Sequence, residues 1–125
     1  MPLPPKLQAE LAGLAAGYVV QVIEEPACIN LIFSNFPVGT GFNADTTDVL
    51  LKIPRAYPDT GPDMFWTRPT LLLKNGQPPR AAEVLETHVG NQWRRFSWHP
   101  GRWNPVHDGL STYLEFVKER FTKSL

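Results

Sequence analysis

Apolar residues recur at helical spacing near both ends of the chain and at alternating spacing between them. Leu7, Leu11, Leu14 and Tyr18 draw one stripe and predict a helix over 4–18. Pro4 and Pro5 suit its first turn and Gly17 its end. At the other end Leu110, Leu114, Val117 and Phe121 predict a closing helix over 108–123, with Asp108 as its N-cap. Between them, the β-branched run 19–25 predicts a strand, and Pro26 and Ala27 connect it to a second over 28–36. There Ile29, Leu31 and Phe33 alternate with Asn30 and Ser34. Residues 37–47 are rich in turn formers, and 48–54 predict a third strand with Val49, Leu51 and Ile53 on one face.

Pro58, Gly61 and Pro62 punctuate a stiff crossover. It leads through Met64, Phe65 and Trp66, read as core under a fourth strand over 69–74 that stops at Asn75-Gly76. Residues 77–92 are polar and show neither period, while 93–105 are dense in aromatics and arginine and read as irregular. The order of helix, four strands, irregular segment and helix predicts an α+β chain with a four-stranded antiparallel meander.

Composition narrows the picture. At 125 residues the chain is expected to form one domain over 1–125. Twelve Lys and Arg balance twelve Asp and Glu, which argues against duplex DNA or an anionic membrane as a partner. Thirteen prolines gather in the connections and predict rigid loops. The single cysteine, Cys28, has no partner for an internal disulfide, and no run is apolar and long enough to span a bilayer. A cytoplasmic location is the expectation.

Three sets of residues invite functional readings. Cys28 begins an apolar strand, where a free cysteine is usually a small buried hydrophobe; a nucleophilic role needs an exposed, electropositive setting. His88, His99 and His107 lack ligand spacing and have no second cysteine beside them, so no metal and no cofactor are expected. Trp93, Trp98 and Trp103 interleave with arginines, a combination that can stack on single-stranded nucleic acid. Their five-residue spacing fits anchoring in the core better, and no nucleic acid is expected.

Two groups of motifs bring in a family. Ile53-Pro54, Tyr57-Pro58 and Pro62 resemble the turn that leads into the fourth strand of ubiquitin-conjugating enzymes. Trp103-Asn104-Pro105, running into Asp108-Gly109-Leu110, resembles that family's Trp-x-Pro element and following helix. The stretches Tyr57-Pro58-Asp59, Pro62-Asp63-Met64-Phe65-Trp66 and Arg95-Phe96-Ser97-Trp98-His99 are similar to the divergent bacterial branch, prokaryotic family E. The resemblance implies the ubiquitin-conjugating fold and a bacterial pathway that conjugates a ubiquitin-like protein. The partners it implies are that protein and an activating-enzyme homologue. It also implies an activating-enzyme contact on the exposed face of the first helix, at Lys6, Gln8 and Glu10. Two features depart from the usual pattern: there is no His-Pro-Asn tripeptide, and the segment that normally holds the nucleophilic cysteine reads Arg94, Arg95, Phe96, Ser97, Trp98, His99.

Ser97 is the only hydroxyl in that segment, and residues two apart in an extended stretch point to one side. Ser97 is therefore the candidate nucleophile, His99 its base, and Asn104 or a backbone N–H near Gly101 the oxyanion donor. Arg94, Arg95 and Arg102 add positive charge for the oxyanion or for an acidic partner. The product would be an oxyester. Two alternatives stand beside this reading: a non-catalytic member of the fold that binds a ubiquitin-like protein or partner enzyme, and a thioester moved to Cys28. In the blandest case Ser97 caps a turn and His99 fills a polar pocket beside Pro100.

Overall fold

A computed structural model describes residues 3–125. The first helix, α1 (Pro5–Leu14), is shorter than its stripe suggests. It buries Leu7 completely and leans Leu11 and Leu14 on the core, and Tyr18, past its end, packs there too. Strands β1 (Val20–Glu24), β2 (Cys28–Pro37) and β3 (Thr46–Pro54) follow as an antiparallel meander, with Leu31 opposite both Val22 and Leu51.

The fourth strand is not at 69–74. It is β4 (Phe65–Thr67), pairing Leu50 with Trp66, so Phe65 and Trp66 are the strand itself and not packing beneath it. Residues 69–74 form a turn latched from the side. The Asn43 side chain accepts from the Leu72 N–H and donates to the Thr70 carbonyl, both at 3.0 Å. Leu73 adds a single antiparallel bridge to Phe42, and the Asn43 N–H donates to the Leu72 carbonyl at 2.9 Å, so this run lies along the 41–43 segment and not as a strand of the sheet.

The segment read as formless folds into a hairpin of β5 (Val84–His88) and β6 (Asn91–Phe96). Strand β6 also pairs with β4, opposing Phe65 to Phe96 and Trp66 to Arg95. The four-stranded expectation thus becomes a six-stranded antiparallel sheet in the order β1-β2-β3-β4-β6-β5.

The closing helix, α2 (Leu110–Lys123), buries Leu110, Tyr113, Leu114, Val117 and Phe121. Its N-cap is Gly109 and not Asp108. The Asp108 carboxylate turns back to accept the Asn104 N–H at 2.8 Å.

The two faces of the sheet differ. Ile29, Leu31, Phe33, Val49, Leu51, Ile53, Phe65 and Phe96 join both helices in the main core. Phe121 meets Phe65 and Phe96 edge-on, with centroids 5.4 and 5.5 Å away. On the helix-free face, Ile32, Leu50, Trp66 and Trp93 form a smaller cluster, and the Arg68 guanidinium lies 4.3 Å over the Trp93 ring.

Candidate functional site

The motifs that carry the family resemblance lie far apart in sequence and meet in the fold. Trp103 packs 5.8 Å from Tyr57 and donates from its indole N–H to the Pro58 carbonyl at 2.6 Å. The Tyr57–Pro58 bond is cis. The Trp103 ring lies so close on Gly61 that a Cβ there would collide with it, which explains the glycine.

Helix α1 fastens the same region. Lys6 donates to the carbonyls of Pro105 (3.0 Å) and Asp108 (2.7 Å). Glu10 accepts the Leu110 N–H at 2.8 Å and the Tyr57 hydroxyl at 2.5 Å. It thereby supplies, from another helix, the acceptor that the side chain of Gly109 cannot offer to the start of α2. Burial first, and then the Glu10 carboxylate, push the Tyr57 phenol well above its ordinary range. Of the three α1 residues expected on the exposed face, Gln8 is exposed, whereas Lys6 and Glu10 turn inward to this loop.

Ser97 lies directly after β6 and is half-buried. Its N–H donates to the Ala81 carbonyl at 2.8 Å, and its Oγ accepts from Arg95 Nε at 2.9 Å. Arg95 in turn donates from NH1 to Glu86 Oε2 at 2.7 Å. Exposed His99 turns elsewhere, placing Nδ1 2.7 Å from Asp63 Oδ1. A carboxylate only accepts, so this Nδ1 is the protonated nitrogen and Nε2 faces outward. No hydrogen bond joins Ser97 to His99 among the described residues. They occupy two separate pairs, and Asp63, which the sequence reading left without a role, completes the second.

Asn104 is exposed, its Oδ1 taken by the Val106 N–H at 2.9 Å, which leaves its amide N–H groups to act as donors. Gly101 and Arg102 are exposed beside it. Arg94 is not part of any charged shelf: it is buried and donates to the carbonyls of Pro69 and Ala82, both at 2.8 Å, clipping β6 to the loops around it.

The tryptophans form no row for stacking bases. Trp93 is fully buried and bonds the His88 carbonyl, Trp98 bonds Ser124 Oγ, and Trp103 lies on the Tyr57 turn. His88 pairs with Glu86 at 3.0 Å. Among the described residues, no group of three or more His, Cys, Asp or Glu side chains is placed to hold a metal, and no helix is long and apolar enough to cross a membrane.

Cys28 is half-buried on the helix-free face, with Glu25 Oε1 at 3.7 Å and Lys52 Nζ at 3.9 Å from its sulfur. Burial pushes its thiol above the ordinary range; Lys52 pulls it down, and Glu25 pushes it up again. That setting is unlike the electropositive one a nucleophilic thiolate needs.

No curated protein and no solved structure matches the chain. The model of one protein family does, that described as Prokaryotic E2 family E, over residues 11–124. That span runs from within α1 to the last turn of α2 and takes in both the Tyr57-Pro58 turn and the Trp103-Asn104-Pro105 loop that packs on it. The chain therefore belongs to prokaryotic E2 family E, with the E2-like role that membership carries.

Proposed function

We propose that this protein is an acyl carrier in the conjugation of a ubiquitin-like protein, taking the activated C-terminus from an activating-enzyme homologue as an oxyester on Ser97. The observation that supports the reading is the position and setting of one hydroxyl. Ser97 stands in the segment where the cysteine is usual, half-buried, with the charged Arg95 on its oxygen and the His99–Asp63 pair two residues on. In the transfer, Ser97 Oγ bonds to the carbonyl carbon of the donor thioester, and the carbon–sulfur bond breaks. The serine proton passes to His99 Nε2 once that ring swings from Asp63, and then to the departing thiolate. The amide of Asn104 donates to the tetrahedral oxyanion.

The experiment mixes the chain with the activating enzyme, the ubiquitin-like protein and ATP. The expected product is an adduct that survives reductant, falls to hydroxide and is absent from Ser97→Ala. An adduct unchanged in that variant would reject the assignment.

One observation favours a second reading, a non-catalytic adaptor of the same fold. Ser97 and His99 are each engaged with another side chain and not with one another. An adaptor binds the ubiquitin-like protein or its activating enzyme and yields no covalent product by intact mass.

A further inference from the structure

A relay of polar side chains stands behind Ser97. Arg95 uses Nε for the serine oxygen at 2.9 Å and NH1 for Glu86 Oε2 at 2.7 Å. The other oxygen of Glu86 accepts the Trp66 indole N–H at 2.9 Å and lies 3.0 Å from His88 Nε2. Register makes the cluster. Trp66 and Val84 both oppose Arg95, and Glu86 opposes Trp93, so these side chains share the helix-free face. Arg95 and Glu86 are 29% and 30% exposed, shielded enough from water for their charges to matter, and Ser97 beside them is half-buried.

The chemistry follows from what a guanidinium can do. It only donates, so Ser97 Oγ accepts, and the serine's own proton must point away from Arg95. A fixed positive charge on that oxygen favours the alkoxide over the alcohol. The planar fork spans the carboxylate and the hydroxyl, so holding one end orients the other.

We infer that Arg95 makes the Ser97 oxygen nucleophilic and that Glu86, anchored by Trp66 and His88, is the positioning residue that aims it. The inference rests on the Ser97 reading above and deepens it. Arg95 exchanges no proton; it stays charged while the oxygen–carbon bond forms, the carbon–sulfur bond breaks and the serine proton leaves for the base. The Glu86 carboxyl is held below its ordinary range, by the Trp66 bond first and then by His88, and Arg95 adds to the effect. It is thus ionised wherever the transfer would run.

The test uses the full chain and a small acyl donor, the mercaptoethanesulfonate thioester of N-acetylglycylglycine, with acylation followed by intact mass across thioester concentration. Arg95→Met is expected to slow acylation about 100-fold, in the range of lost oxyanion donors. Arg95→Lys, which keeps the charge and loses the fork, is expected to slow it about tenfold. Glu86→Gln is expected to slow the saturating rate about tenfold while the half-saturating thioester concentration stays at the wild-type value, because the carboxylate aims the guanidinium and does not bind the donor. Circular dichroism and melting check that each variant folds. Should Arg95→Met fail to fold, Arg95→Lys and Glu86→Gln carry the test.

Wild-type rates in the folded variants, with Ser97→Ala inert, would overturn this inference and leave the Ser97 reading standing. A Glu86→Gln that raises the half-saturating concentration and leaves the saturating rate at the wild-type value would overturn the positioning role. Acylation of Ser97→Ala at the wild-type rate, or none of the wild type, would remove the Ser97 reading and this inference with it.

Discussion

Cys28 and Ser97 sit on the same helix-free face of the sheet, each beside one carboxylate and one cation. Around Cys28 the charges are Glu25 and Lys52; around Ser97 they are Glu86 and Arg95. The order differs. At Cys28 both charges lie nearly equally far from the sulfur, at 3.7 and 3.9 Å, and burial tips the balance toward the neutral thiol. Lys52 is moreover drawn to Asn30 Oδ1 at 2.8 Å. At Ser97 the cation stands between the carboxylate and the hydroxyl, in direct contact with the oxygen. Which partner touches the side chain, and not which residues are nearby, sets the two environments apart.

The most direct test of this contrast puts the same atom in both places. In Ser97→Cys the introduced thiol would face Arg95 while Cys28 stays where it is. Peptide mapping after iodoacetamide at neutral pH is expected to show the introduced thiol alkylated roughly 10- to 100-fold faster than Cys28. Equal rates would mean that the two settings are equivalent.

A smaller change should move the Cys28 corner alone. Glu25→Gln keeps an oxygen for Asn30, whose amide now donates to it at 2.6 Å, but removes the negative charge near the sulfur. Cys28 is expected to react about threefold faster, because one of the influences raising the thiol is gone. An unchanged rate would leave burial as the whole cause.

The smallest effect is on stability. Glu86 has its folded pKa below its unfolded one, through Trp66, His88 and Arg95. Its contribution is therefore present above the ordinary carboxylate range and is lost as pH falls through the folded value. Between about pH 6 and about pH 3 the wild type is expected to lose about 3 °C more melting temperature than Glu86→Gln. Parallel curves would show that the bonds to Glu86 add no stability.

Much of the fold was legible because it rests on burial periodicity. The α2 stripe of Leu110, Leu114, Val117 and Phe121 is buried as its spacing predicts, and Ile29, Leu31 and Phe33 of β2 lie in the main core, although Asn30 and Ile32 between them are buried on the other face. The β5–β6 hairpin was not legible, for two reasons. Strand β5 is an edge strand with Val84, Leu85 and Thr87 exposed, so it carries no clear period. Its turn is Val89-Gly90, with φ of 44° and 80°. A two-residue turn of that hand is usually signalled by Asn-Gly, and a β-branched residue there hides it. Strand β4, three residues long, is too short to show alternation at all. The 69–74 run was misread because apolar content marks burial, which Leu71 has, and says nothing of what bonds the backbone.

The apolar stripes, the meander of β1 to β3, and the paired motifs at Tyr57-Pro58 and Trp103-Asn104-Pro105 within the family match could all be read along the chain. These depend on residues near one another in the chain, whose spacing fixes the face they share. What touches Ser97, His99 and Glu10 was set by packing between distant segments. Alternation put Ser97 and His99 on one side, but Arg95 and Asp63 claimed them, and Glu10 crossed to cap a helix 100 residues away. A hydrogen bond is settled within a few tenths of an ångström, by neighbours that the register and the loops deliver, and that precision is not written in any local stretch of sequence.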